Sequence, residues 1–185
     1  MISRRTLLKG ACAGTACWVV SGPAAASSAR PVSLRELSQR SRHTLLATAT
    51  DMQSRWETAY GSRRIVTYTR VVIAQSLDGR TTADNEFLIR TLGGKVGHLA
   101  QVVHGEARLA LDQSSAVFLD LDDEQVWRVT AMAQGHYPLR PDAEGIRRLV
   151  RSPDLPELRA DPSAAVQLLP GRTVIEAEHL LAEQR

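Results

Sequence analysis

The segment TLGGKVGHLAQVVHGEA, residues 91–107, places glycines, a lysine, two histidines and a glutamate close together. Two kinds of chemistry use such residues: a glycine-rich loop can cradle phosphate, and imidazole with carboxylate groups can hold a metal ion. The phosphate site fails on spacing, because Gly94 and Lys95 are followed by Val96, where a phosphate-binding loop requires Ser or Thr. We therefore expect no nucleotide site in this segment.

A metal site is the stronger of the two possibilities, because a further ligand is available later in the chain. The four candidate ligands are His98, His104, Glu106 and His136. Any three of them could hold zinc and leave one position open for a substrate, as in a small metal-dependent hydrolase. About 20 Å of extended chain separates the first two histidines, so the strand would have to fold back between them. Solvated histidines at strand ends are the competing interpretation, under which the protein has no cofactor.

The glycines of the same segment also have a structural interpretation. Gly93 and Gly94 interrupt a strand-like pattern, and adjacent glycines in a strand mark a bulge or a sharp bend. Gly105, between His104 and Glu106, marks a turn. We predict a bent strand followed by a turn, in which most polar residues have structural roles.

A run of acidic residues follows in the chain, consisting of Asp120, Asp122, Asp123 and Glu124. These carboxylates could bind calcium, but the run lacks the glycine and the distant glutamate of an EF-hand loop. A solvated hairpin turn is therefore the prediction for this run. No serine lies in a G-x-S-x-G elbow, and no Ser-His-Asp set stands out, so we predict no catalytic residues.

The elements that must position these residues are mostly strands. Ser33 and Glu36 have the spacing of a capping box and predict a short helix over residues 34–41. Residues 63–77 are long, β-branched and followed by Asp78-Gly79, which indicates a strand. Residues 44–52 favour a strand, with a helix as the alternative. Further strands are predicted at 86–91, 96–103, 116–121, 125–133, 136–140 and 146–151.

The pattern changes after residue 151. Four prolines between residues 152 and 171 predict an irregular connection, and Thr173 with Glu176 predicts a capped helix to about Gln184. The fold class is therefore mainly β, an antiparallel β-barrel or sandwich of the OB-like kind, with a short N-terminal and a C-terminal helix. We divide the chain into an export signal (1–29), a β-barrel domain (30–151) and the proline-rich connection with the C-terminal helix (152–185).

The N-terminal segment carries the most specific motif, SRRTLLK, in which Arg4 and Arg5 form a twin-arginine pair. A short apolar run and small residues follow, which predicts cleavage after Ala26 or Ala29. The run is too short to span a bilayer, so no stable membrane anchor is expected. We predict a periplasmic or secreted protein that meets the twin-arginine translocase and signal peptidase during export.

Charge and cysteine content exclude several classes of function. Arg4, Arg5 and Lys9 account for three of the 23 basic residues, which leaves 20 basic against 20 acidic residues in the rest of the chain. Without an excess of positive charge, nucleic acid is not an expected partner. Both cysteines, Cys12 and Cys17, precede the predicted cleavage site. The exported domain therefore has no disulfide, thiolate nucleophile or cysteine zinc ligand.

The order of several segments resembles that of a known family. The matching segments are residues 34–57, the strand ending at Asp78-Gly79, LGGKVGHLAQVVHGEA, AVFLDL and VTAMAQGHYPL. They look like a family of exported bacterial proteins with a twin-arginine signal and a small OB-like, netrin-like β-barrel domain. The resemblance implies a β-barrel module. Together with the absence of a catalytic set, it predicts a non-enzymatic protein that binds an unknown envelope or secreted protein.

Overall fold

The computed structural model describes residues 30–184, which form three helices and nine strands. The helices are α1 (Leu34–Arg40), α2 (Ala165–Leu168) and α3 (Val174–Ala182). The strands are β1 (His43–Ala59), β2 (Ser62–Ser76), β3 (Glu86–Leu92), β4 (Gly94–Val96), β5 (Leu99–Gln101), β6 (Ser114–Leu121), β7 (Trp127–Val129), β8 (His136–Pro141) and β9 (Arg147–Leu149). None of the helices in this part of the chain has the length and hydropathy needed to cross a bilayer.

Seven strands form one sheet in the order β1-β2-β3-β7-β6-β8-β9, and β1 also pairs with β6. Every pairing is antiparallel except that of β3 with β7, which consists of the single residue pair Ile89 and Trp127. The mainly β prediction, with a helix near each end of the described chain, is confirmed. A closed barrel is not shown, because β3 and β7 share no continuous ladder.

Two predicted strands are wrong in their extent. Residues 96–103 do not form one strand: β4 and β5 pair as a small antiparallel ribbon around a turn at Gly97, whose φ is 59°. The strand predicted at 125–133 ends at Val129, because Ala131 and Met132 both have positive φ and a 3₁₀ turn follows. The alternative of a helix over 44–52 is also wrong, since this region belongs to β1.

The apolar side chains form two clusters. One lies under the helices and includes Leu37, Phe118, Tyr137, Leu149 and Leu181. The other lies on the opposite face of the sheet and includes Leu45, Val71, Phe87, Ile89 and Leu119. Alternation along the strands explains the division, because successive side chains of β6 point to opposite faces of the sheet.

Both predicted helix starts have side-chain caps. The backbone N–H of Glu36 donates to Ser33 Oγ at 3.1 Å, which caps α1. At α3, Thr173 and Glu176 form the reciprocal capping box. The connection at 152–171 is irregular except for the single turn of α2, and α2 and α3 contribute to the same core as α1.

Candidate functional site: an arginine-lined cavity

A cavity of about 670 Å³ opens beside the turn between β1 and β2 and the end of β7. Four arginines line it, namely Arg40, Arg64, Arg90 and Arg128. Tyr60, Glu106 and Met132 also contribute to its walls. We call this site the arginine cavity. Its position was not predicted, because its residues come from six separate stretches of the chain.

Arg90, on β3, is the fixed part of the cavity wall. Its guanidinium group is buried and contacts three carboxylates: Glu57 at 2.7 Å, Glu124 at 2.6 Å and Asp122. Burial alone would lower the pKa of Arg90, but the hydrogen bonds to these carboxylates raise the pKa above its ordinary value. Arg90 is therefore permanently charged, and its charge is already balanced within the protein.

The acidic run forms a hairpin turn between β6 and β7 with Asp123 and Glu124 exposed, as predicted, but Asp122 is buried and not solvated. This residue is only 4% exposed. Its carboxylate accepts hydrogen bonds from the backbone N–H groups of Glu124 and Val126, each at 3.0 Å, and from the Tyr60 hydroxyl at 3.1 Å. Burial tends to raise the pKa of Asp122, but the Val126 N–H and Arg90 lower it overall. Asp122 thus holds the turn and Arg90 together.

Arg64 and Arg128 provide the positive charge that is not balanced. Within residues 30–184, neither side chain forms an ion pair. The guanidinium carbon of Arg64 lies 6.0 Å from the centre of the Tyr60 ring, and Arg90 lies 5.4 Å from the same ring. The Nε atoms of Arg64 and Arg90 are buried and have no hydrogen-bond partner among residues 30–184. Buried donors of this kind normally have an acceptor.

The backbone around the cavity is held in uncommon conformations. Tyr60, Ala131 and Met132 have φ values of 50°, 56° and 57°. Residues with a side chain adopt positive φ infrequently, and such residues concentrate at binding and catalytic sites. All three of these residues line the arginine cavity.

Glu106 forms a buried acidic wall of the cavity. Burial raises the pKa of this carboxyl group to about 7, against hydrogen bonds from the N–H groups of Leu92 and Ala107 and the charge of Arg128. Near neutral pH the group is therefore partly protonated and can donate as well as accept a hydrogen bond. The sequence had suggested a different role for Glu106, as a metal ligand together with three histidines.

The structure does not bring the four proposed metal ligands together. His98 and His104 are exposed, whereas His136 is fully buried with Nδ1 3.2 Å from Ser152 Oγ and Nε2 3.2 Å from Ser115 Oγ. Burial lowers the pKa of His136 to about 4, so its ring is neutral. Across residues 30–184, no three His, Cys, Asp or Glu side chains form a group that could hold a metal ion.

The glycines that were assigned to bends have conformations that require glycine. Gly93, Gly94 and Gly105 have φ values of 93°, 132° and 79°. A side chain on Gly94 would also collide with the hydroxyl groups of Ser54 and Thr67. Arg4 and Arg5 lie outside the described residues.

The arginine cavity combines two cations that form no ion pair among residues 30–184, an aromatic ring and a carboxyl group that can be protonated. Asp120 also lines it, opposite Arg128 in the pairing of β6 with β7, and forms an ion pair with Arg42. No Ser, Cys or His belongs to its lining in the described part of the chain. This set suits the recognition of an acidic group better than the activation of a nucleophile. No protein-family model, curated protein or solved structure matches the chain.

Proposed function

We propose that this chain is an exported, non-enzymatic binding protein of the periplasm or the secreted fraction, and that its arginine cavity holds an acidic segment of a partner protein. The observation that carries the proposal is the pair of cations, Arg64 and Arg128, which line the cavity and form no ion pair with any of residues 30–184. Arg90 and its carboxylates form the rigid support behind them.

A guanidinium group suits a carboxylate ligand because its N–H groups match the two carboxylate oxygens. Arg64 is half-buried, so a charge-assisted hydrogen bond at the accessible part of its guanidinium group would be partly shielded from water. Because Glu106 is partly protonated, it would repel an incoming carboxylate less than a fully ionised Glu106 would. These features together favour an acidic ligand over a basic one.

The rim of the cavity favours a protein partner over a small free anion. Tyr60 is 46% exposed and Met132 is 38% exposed. Tyrosine, methionine and arginine are the residue types enriched where proteins bind one another. An acidic side chain could enter the cavity while the flanking segment of the partner covers this rim.

The proposal includes an OB-like, netrin-like barrel as the supporting fold. Strands β1, β2, β3, β7 and β6 are neighbours in that order, and β6 pairs again with β1. Such a ring has the strand number of an OB-fold, which is a partly open five-stranded barrel. A partly open barrel also accommodates the single residue pair between β3 and β7.

The export part of the proposal has a direct test. A variant with Arg4→Lys and Arg5→Lys keeps the positive charge but loses the guanidinium groups that the twin-arginine translocase reads. We expect the wild-type protein in the periplasmic fraction or the medium and the double variant in the cytoplasm, uncleaved, by fractionation and immunoblotting. Wild-type amounts of the double variant outside the cytoplasm would contradict the twin-arginine assignment.

The binding part is tested by calorimetry with an oligo-aspartate peptide whose C-terminus is amidated. We expect the wild-type protein to bind the peptide, and the double variant Arg64→Gln, Arg128→Gln to bind at least about tenfold more weakly, because two charge-assisted contacts are lost.

The matched control removes two exposed arginines that do not line the cavity, Arg35→Gln and Arg147→Gln. It has the same net charge as the first double variant and should bind nearly as tightly as the wild type. Equal weakening in both variants would mean that only overall charge matters, and the cavity would not be the binding site.

A further inference from the structure

A second cavity of about 430 Å³ lies between the inner face of the sheet and the ribbon formed by β4 and β5. Met52, Val102, Val103 and Leu109 contribute apolar side chains to it. It contains none of the arginines of the first cavity, and we call it the ribbon cavity. A ligand could occupy the ribbon cavity whether or not the arginine cavity binds an acidic segment.

Three of the four residues with hydroxyl groups that line the ribbon cavity, Ser54, Thr67 and Thr91, form side-chain hydrogen bonds within the protein. Thr67 donates its hydroxyl hydrogen to Gly93 O at 2.7 Å, so Ser54 must be the donor in the 2.8 Å contact between Ser54 Oγ and Thr67 Oγ1. Thr91 donates to Thr67 O at 3.4 Å. The side-chain oxygen of Gln101 accepts from the Ile65 N–H at 2.7 Å. The hydroxyl hydrogens of Ser54, Thr67 and Thr91 are therefore already used within the protein and are not available to a ligand.

The ribbon cavity combines apolar surface with one lysine that forms no ion pair in the described part of the chain. Lys95 lines the cavity, is exposed, and forms no ion pair among residues 30–184. The other basic residue at this site, Arg108, is bound to Asp154, with Nε 2.6 Å from Oδ1. Val102 is 65% exposed and Leu99, on the same ribbon, is 61% exposed. Lys95 is also the single lysine after residue 29.

We propose that the ribbon cavity binds an amphipathic carboxylate with one unbranched alkyl chain, with the chain between the ribbon and the sheet and the carboxylate at Lys95. An apolar chain suits the engaged hydroxyls and the apolar side chains, and one negative charge complements the one unpaired cation. The volume lies within the range of small-molecule sites, which are mostly apolar with a few polar groups that set orientation.

The first experiment measures dodecanoate binding by calorimetry, below its micelle-forming concentration, with 1-dodecanol as the uncharged comparison. We expect saturable binding of one dodecanoate, about fivefold weaker binding in Lys95→Gln, and nearly unchanged binding in Lys95→Arg, which keeps the charge. The control Arg35→Gln removes an exposed charge outside both cavities and should bind as the wild type does.

The second experiment locates the ligand through the amine of Lys95. Dodecanoate should slow acetylation of Lys95 by an amine-reactive reagent, measured by peptide mass spectrometry, whereas 1-dodecanol and acetate should not. Val102→Asp places a negative charge in the mouth at an exposed position, which the fold can accept, and should abolish dodecanoate binding.

The proposal is overturned by undetectable dodecanoate binding in the wild type. It is equally overturned if Lys95→Gln and Val102→Asp bind dodecanoate as tightly as the wild type, or if 1-dodecanol binds as tightly and protects Lys95 equally well. In those cases alkyl chains would be adsorbing to apolar surface without using the cavity.

Discussion

Glu106 and His136 are buried titratable residues whose environments move their pKa values in opposite directions. Burial raises the pKa of Glu106 from 4.5 to about 7, so its contribution to stability is complete below pH 4.5 and is lost as the pH rises to 7. Burial lowers the pKa of His136 from 6.5 to about 4, so its contribution is complete above pH 6.5 and is lost as the pH falls to 4. Between pH 4.5 and 6.5 a rise in pH therefore lowers stability through Glu106 and raises stability through His136.

Replacing Glu106 should isolate its contribution to the pH dependence of the unfolding free energy. In Glu106→Gln, the free energy of unfolding relative to the wild type should rise between pH 4.5 and 7, by up to about 3 kcal/mol, because a buried group no longer has to ionise. Urea unfolding at several pH values measures this difference. A difference that stays constant with pH would contradict a raised pKa of Glu106.

For single residues, the sequence identified candidate side chains by their chemistry but did not identify the side chains that contact them. Glu106 was selected for its carboxyl group, yet its burial and its position beside Arg128 follow from distant parts of the chain. The ion pair of Arg90 with Asp122 joins residues separated by 32 positions. Local pattern carries no signal for such a contact, and a run of acidic residues is normally solvated.

At the scale of elements, long strands were predictable and short ones were not. The strand predicted at 63–77 corresponds to β2 within one residue at each end, because its β-branched residues and the following turn both favour a strand. The ribbon of β4 and β5 was missed. Its two halves are both extended, and Gly97 carried the only turn signal next to the more prominent pair Gly93-Gly94.

The ribbon gives a prediction about these glycines. Gly94→Ala should lower the free energy of unfolding by about 1–3 kcal/mol, since φ is 132° and the new methyl group would collide with the hydroxyls of Ser54 and Thr67. Gly97→Ala is the matched control, because its φ of 59° is also positive but no atom lies within 4 Å. Thermal and urea unfolding should show the larger loss for Gly94→Ala; equal losses would mean that close packing at Gly94 is unimportant.

At the scale of the whole molecule, the mainly β class could be predicted from the sequence, but the arginine cavity could not. Alternating strands and two capped helices predicted a mainly β domain, since these signals are local. The arginine cavity forms only when α1, the turn between β1 and β2, β2, β3, the segment after β5, β6 and β7 come together. The pairing order of strands distant in sequence decides this, and no spacing in the chain encodes it.

The central claim is that the arginine cavity holds an acidic segment of a partner. The most direct measurement is a titration of the isotope-labelled protein with the amidated oligo-aspartate peptide, followed through backbone amide chemical shifts. We predict saturable shifts concentrated at Tyr60, Arg64, Arg128 and Met132, with no change at Leu149 in the helix-covered core. Shifts spread evenly over the exposed arginines, or saturable shifts centred elsewhere, would contradict the claim.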